Sequence, residues 1–329
     1  MEYKNCPLYR IYSKKQLCLL LKIKNPKLLK QDYVSSLISP YIDITGKPRL
    51  IEPPQDELKI VQKRIKYALG KIDVPENVFS GVKGRSYTGN AIFHIGDKLR
   101  YVYKIDLTAF FPSISRDVVY KFFRNDMECS ADVSNILTNL TTVDLCRTVI
   151  YDKNAVYEFL DQKKIKCTNH LISGAPTSQI LSYLVNHRMF DEMQSLSVKN
   201  HVTMTIYVDD ITFSCENKIS NHFKKQIQQI VKKHYYIISN KKVKYYTKHS
   251  PKLVTGVVIS ADGKLVIKNS LRKDIVYEHE YLRKNPNSIE SRKRLKGLLT
   301  AARQVQKDAF PTIFQFAFSK EKDLENNKK

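Results

Sequence analysis

Residues 202 to 215 read Val202-Thr203-Met204-Thr205-Ile206-Tyr207-Val208-Asp209-Asp210-Ile211-Thr212-Phe213-Ser214-Cys215. Two β-rich runs flank an acidic pair, the pattern of a short hairpin with carboxylates at its tip. Two neighbouring carboxylates on a tight turn repel one another, and a cation is the natural compensation. An isolated Asp-Asp pair is most often an ordinary turn, so its meaning depends on what surrounds it. About a hundred residues upstream, Tyr101 to Leu107 is another β-rich run carrying Asp106 near its end, followed by Ser115, Asp117, Val118, Val119 and Phe122, an N-capped helix. If the two runs pair, three acids meet.

The pattern continues in both directions. Leu17, Leu20, Leu21, Leu28 and Leu29 predict one or two short amphipathic helices over 14 to 31. Gly46 and Pro48 punctuate a hairpin from Ile42 to Pro54 that carries Lys47 and Arg49, and residues 56 to 70 look helical. A Gly174-Ala175-Pro176 start leads into a helix expected from Thr177 to Met193, with Ile180, Leu181, Leu184 and Val185 on one face. A helix over 223 to 236 follows, with Phe223, Ile227, Ile230 and Val231 inward, then strands near 253 to 259 and 264 to 268, and helices from 270 to about 318.

The chain has 329 residues, 42% hydrophobic and 10% aromatic, enough to bury a sizeable core and too apolar for a disordered protein. Its 56 Lys and Arg outnumber 32 Asp and Glu for a net charge of +24, which points to polyanionic partners. No apolar run reaches membrane-spanning length and no signal pattern opens the chain, so no membrane partner is expected. Cys6, Cys18, Cys129, Cys146, Cys167 and Cys215 form no C-x-x-C pair. Neither a zinc site nor a disulfide framework is expected, and a reducing cytoplasm is the expected compartment. The eight histidines show no ligand spacing.

Nucleotidyl transfer with two Mg²⁺ ions needs hard oxygen ligands from different elements. Asp106, Asp209 and Asp210 would supply them as catalytic and metal-binding residues. The flanking residues go further. Lys104-Ile105-Asp106-Leu107-Thr108-Ala109-Phe110-Phe111-Pro112-Ser113-Ile114 resembles the first palm motif of the reverse transcriptases. Ser173-Gly174-Ala175-Pro176-Thr177-Ser178 resembles the second and Tyr207-Val208-Asp209-Asp210 the third. Arg49-Leu50-Ile51, Leu58-Lys59 and Gln62 are similar to the fingers pattern, and Gly84-Arg85-Ser86, Asn90 and His94-Ile95-Gly96 to the approach to the palm. Asn240 with its following lysines and Val254-Thr255-Gly256 resemble the palm-to-thumb region. The resemblance covers roughly residues 40 to 310 and is to the bacterial retron type, RNA-directed DNA polymerases.

The resemblance implies that Asp106 and Asp209 bind both metals and that Asp210 has a less direct role. Phe111 stands where the family places an aromatic that blocks a ribonucleotide 2′-hydroxyl, while Phe110 is read as core. Arg49, with Lys47, would bind dNTP phosphates through the guanidinium fork. Gly174 and Ala175 would form a small-residue floor under the nucleotide. Lys242 is a candidate general acid for pyrophosphate departure, the choice within Asn240-Lys241-Lys242-Val243-Lys244 staying open. Nine lysines and no acid between 221 and 252, and Arg292, Lys293, Arg294, Lys296, Arg303 and Lys307, suit a grip on a nucleic-acid backbone. Val254, Thr255 and Gly256, with Arg292, Arg294 and Lys296, are the RNA-binding candidates. Two departures stand out: Ser173 replaces the family's Gln, and the β-branched Val208 takes the place of its Ala or Met.

The implied fold is α+β, a right-hand polymerase: an N-terminal helical extension over 1–38, fingers over 39–100, a palm of antiparallel sheet and helices over 101–250, a small helical thumb over 251–320 and a frayed tail over 321–329. No RNase H or nuclease unit is expected to follow. Such enzymes copy part of a cognate structured noncoding RNA into RNA-linked multicopy single-stranded DNA, starting from a 2′-hydroxyl. They often act in antiphage defence with an effector protein encoded nearby. The alternatives are a diversity-generating, group II intron-like or abortive-infection reverse transcriptase, and a catalytically silent RNA-binding scaffold.

Overall fold

The computed structural model describes residues 2–319, so the tail expected over 321–329 lies outside the described residues. The chain forms two compact units. The first takes the residues up to Arg85, Tyr103–Phe213 and Ile219–Lys244; the second takes Ser86–Val102, Ser214–Lys218 and the residues from Tyr245 onward.

In the first unit the leucine-rich N-terminal stretch becomes a helix, Lys14–Leu20, a single 3₁₀ turn, Pro26–Leu29, and a helix, Gln31–Ser36. Strands β1 (Tyr41–Asp43) and β2 (Arg49–Ile51) form the expected hairpin, with Asp43 opposite Arg49. Period-2 alternation buries Leu50 and leaves Arg49 exposed. The helix Asp56–Leu69 buries Leu58, Val61, Ile65 and Leu69, an i, i+3, i+7, i+11 stripe. Strand β3 (Tyr101–Asp106) is followed by the helix Arg116–Lys121. Ser115 sits at its N-cap but makes no side-chain cap; its backbone instead bridges to His170. Strands β4 (Thr142–Asp144) and β5 (Asn169–Leu171) pair antiparallel.

The helix expected from Thr177 to Met193 is two, Ser178–Leu184 and His187–Lys199. Asn186 makes the break: its Nδ2 donates to the Ser182 carbonyl and its Oδ1 accepts from Tyr236. An amide side chain that bonds locally competes with the helical ladder. Strands β6 (Thr203–Tyr207), β7 (Asp210–Cys215) and β8 (Lys244–Tyr246) complete a four-stranded sheet in the order β6-β7-β3-β8. The following helix, Asn221–Lys233, is capped by Ser220 and ends before Tyr235, which has φ +66°.

In the second unit, β9 (Lys252–Val254), β10 (Val257–Ile259) and β11 (Leu265–Val266) form a sheet in the order β11-β10-β9. The β9–β10 turn is Thr255-Gly256, both at positive φ, the twist that suits a two-residue hairpin. Val254, Val257 and Ile259 pack with Ala91 and Val102. Helices Asn269–Lys284, Ile289–Val305 and Pro311–Phe318 share a core of Ile275, Leu282, Leu295, Leu299, Ala302 and Ala317. The six cysteines are free, and among the described residues no helix is long and apolar enough to cross a membrane.

Candidate active site

The strand pairing brings the three acids together. Asp106 ends β3, Asp209 lies in the β6–β7 turn, and Asp210 opens β7, the strand beside β3. The Leu107 N–H donates to the Asp209 carbonyl at 3.0 Å, which locks the two segments in register. Val208 holds this turn at φ +59°, a conformation that a β-branched side chain adopts only under strain. Its stiffness thus lies in the backbone that aims the Asp pair.

Each of two acids carries a lysine. Lys242 Nζ lies 2.6 Å from Asp106 Oδ1 and Lys104 Nζ 2.7 Å from Asp210 Oδ2. Asp209 makes no ion pair among the described residues. Burial pushes the Asp106 carboxyl above its usual range, with Lys242 opposing. Burial, with the charge of Asp106 added, raises Asp209 to about 6. A raised carboxylate pKa means the folded protein binds more protons than the unfolded chain between pH about 4 and about 6. The ionised form of Asp209 therefore costs stability as pH rises through that window. Asp209→Asn is expected to raise the melting temperature of the metal-free protein by a few degrees at pH about 7.5 and hardly at all at pH about 4; calorimetry at both pH values checks it.

Among the described residues no group of three or more His, Cys, Asp or Glu side chains converges as a ready metal cage. The fit to a hard divalent cation rests on donor chemistry: three half-buried carboxylates, two in ion pairs with ammonium groups and the third in no ion pair among the described residues. The structure also picks one lysine from the 240–244 run, since Lys242 rather than Lys241 or Lys244 reaches Asp106. Lys104 was not singled out from the sequence, although the signal was there. It stands two residues before Asp106, on the same face of a strand.

The loop after Asp106 is pinned by Thr108 N–H to the Ile237 carbonyl at 2.7 Å and by the Ser113 hydroxyl to the Thr108 and Ala109 carbonyls. Ala109 is left-handed at φ +42°, and the two phenylalanines that follow part ways. Phe110 is buried against Tyr236 and Phe190, with ring centroids at 5.3 and 6.4 Å, while Phe111 is half-buried. Arg49 and Lys47 are exposed. Gly174 has φ +107°, but a Cβ there would meet nothing closer than 3.8 Å, so conformation rather than space demands glycine. Ala175 is buried, a packing position more than an open floor.

The RNA-binding candidates lie in the second unit. Val254 is fully buried, so its side chain serves the core; Thr255 donates to the Tyr87 carbonyl and accepts from Asn90. Arg294 pairs with the buried Glu278 at 3.1 Å. Arg292 and Lys296 stand over the rings of Phe316 and Phe318.

The reverse transcriptase (RNA-dependent DNA polymerase) family model matches residues 28–259. The retron Ec73 reverse transcriptase of Escherichia coli is 25% identical over 294 residues, 85% of this chain and 86% of that protein. The retron Se72 reverse transcriptase of Salmonella heidelberg is 28% identical over 190 residues, 56% of this chain and 42% of that protein. The retron Ec83 reverse transcriptase of Escherichia coli is 26% identical over 225 residues, 66% of each chain. The matched segment thus spans less than half of the Se72 protein and most of the Ec73 protein. With three acids meeting at the junction of neighbouring strands inside the matched region, this chain belongs to the reverse transcriptase family and is a retron-type member of it.

Proposed function

We propose that this protein is an RNA-directed DNA polymerase that copies part of a cognate structured noncoding RNA into RNA-linked single-stranded DNA. The observation that carries this reading is the meeting of Asp106 with Asp209 and Asp210, each outer acid held by its own lysine. Asp106, Asp209 and Asp210 would hold two Mg²⁺ ions, which when bound activate the attacking 3′-hydroxyl and neutralise the triphosphate. Lys104, whose side chain is 13% exposed, fixes the Asp210 carboxylate. Lys242, at 44%, has solvent access and the freedom to protonate departing pyrophosphate. Phe111 excludes the ribonucleotide 2′-hydroxyl, and Arg49 with Lys47 binds the triphosphate from the β1–β2 hairpin. The right-hand arrangement of fingers, palm and thumb over 39–100, 101–250 and 251–320 belongs to this proposal, as does a backbone grip by Arg292, Arg294 and Lys296 and RNA recognition at Thr255 and Gly256. As a retron-type protein it would work in antiphage defence with an effector encoded nearby.

The test is incorporation of labelled dNTPs on a primed RNA template with Mg²⁺, alongside sequencing of RNA that copurifies. Incorporation together with one dominant structured RNA supports the reading; neither result leaves it standing without the other. Arg49→Ala is expected to raise KM for dNTP by about tenfold, the loss of one charge-assisted bidentate contact, with primer–template affinity unchanged. Steady-state extension kinetics and a filter-binding titration check both halves.

A further inference from the structure

Glu52 and His170 have fully buried side chains, yet neither has a part in the chemistry proposed above. His170 Nε2 lies 2.9 Å from Glu52 Oε1, and His170 Nδ1 lies 3.2 Å from the Cys167 carbonyl. A carbonyl only accepts, so Nδ1 carries a hydrogen, and the Nε2–Oε1 contact needs one more between its two atoms. The pair therefore holds two protons and is neutral as a unit, which is how a carboxyl group and an imidazole can share a site without water.

The other carboxyl oxygen, Oε2, accepts the Ser173 backbone N–H at 2.7 Å, and the Glu52 N–H donates to the Ser173 carbonyl at 2.7 Å. One residue thus grips both backbone groups of Ser173. Glu52 directly follows β2, which carries Arg49, and Ser173 directly precedes Gly174 at φ +107°. The same seam supplies the nearest neighbours of a Cβ at Gly174, Ile51 Cγ2 at 3.8 Å and the Glu52 nitrogen at 4.0 Å.

We propose that Glu52, oriented by His170, is a positioning residue of the nucleotide pocket, fixing the β1–β2 hairpin to the Gly174 turn. It sets the spacing between the triphosphate contact and the surface beneath the nucleotide; this rests on reading Arg49 and Gly174 as nucleotide contacts. A positioning group that holds the nucleotide contacts in place acts on binding, so its loss is read in KM rather than in kcat.

The experiment is primer extension on a primed RNA template with wild type, E52M/H170L, E52D and E52Q, measuring kcat, KM for dNTP, primer–template Kd and Tm. E52M/H170L replaces the buried polar pair with apolar groups of similar volume and leaves no unpaired charge, so the fold is retained while the Ser173 bond is lost. Its KM is expected to rise about tenfold, with kcat within about threefold and primer–template Kd unchanged. E52D, one methylene short of spanning both partners, gives a smaller rise in the same direction and serves if the double variant does not fold. E52Q, whose amide oxygen accepts from Ser173 while its NH₂ donates to Nε2, stays within about threefold of wild type in KM. Unchanged KM in folded E52M/H170L or E52D, with effects confined to Tm, overturns the positioning role. A KM rise in E52Q as large as in the double variant overturns it too, because charge rather than the bond would then matter. A wild type that incorporates no dNTP on any primed RNA overturns the polymerase reading and this with it, whereas an active wild type with unaltered variants overturns the positioning alone.

Discussion

Asp209→Ala is expected to lower dNTP incorporation by about 10³-fold or more while leaving RNA affinity within about twofold. Asp209 is the acid without an ion pair among the described residues, whereas Asp106 and Asp210 already have ammonium partners at 2.6 and 2.7 Å. It is also the acid whose pKa is pushed up to about 6, mainly by burial, so its carboxylate is poised to gain most from a divalent cation. On the proposed reading, removing it deletes a metal ligand worth several kcal/mol in the transition state without touching the basic surfaces that would hold RNA. The comparison needs two readouts: single-turnover extension with Mg²⁺, and RNA binding by titration in its absence. Extension at more than about a tenth of the wild-type rate would mean the carboxylates do not organise the chemistry. Equal loss of RNA binding would mean that the variant has misfolded or that the turn contacts RNA. The strain at Val208 makes the second outcome worth checking, since a turn held at φ +59° has little margin for rearrangement.

Phe111→Ala is expected to reduce discrimination between dNTPs and rNTPs by on the order of 100-fold, chiefly by lowering KM for rNTPs. Phe111 is half-buried beside Phe110, 6.4 Å between centroids, and Phe110 is in turn fixed against Tyr236 and Phe190. A ring backed by other rings is a rigid wall, and rigidity is what lets sterics reject one additional hydroxyl. Phe110→Ala acts differently, leaving a large cavity in the core and costing about 3–5 kcal/mol of stability. Parallel kcat/KM measurements with dGTP and rGTP, together with Tm for both variants, separate the roles. Unchanged selectivity in a folded Phe111→Ala protein would place the barrier to ribonucleotides elsewhere.

Much of this was legible along the chain because it is local. The alternation around Tyr207-Val208-Asp209-Asp210 predicts a hairpin, and the hairpin is there, with Asp210 opening the second strand. The β1–β2 hairpin and the helix over 56–70 follow from Gly46, Pro48 and an apolar stripe; the helix forms within one residue of expectation, and the hairpin's second strand ends at Ile51, three residues before Pro54. The helix expected over Thr177 to Met193 failed for a non-local reason. Its break depends on Asn186 meeting Tyr236, a residue fifty positions away. Ala175, read in sequence with Gly174 as a small-residue floor, is buried in the fold, a degree of packing that no local pattern shows.

The acids, the strand-and-turn patterns and the family of this chain could be read along it, because residue identity and periods of two and 3.6 within short windows carry them. That Lys242 rather than its neighbours reaches Asp106, that Lys104 holds Asp210, and that Glu52, bonded to His170, grips Ser173 from within the core came only from the three-dimensional packing. These contacts join residues 106 to 136 positions apart at Lys104 and Lys242, and 118 to 121 at Glu52. Their geometry comes from sheet order and core packing, and no local pattern of side chains encodes it.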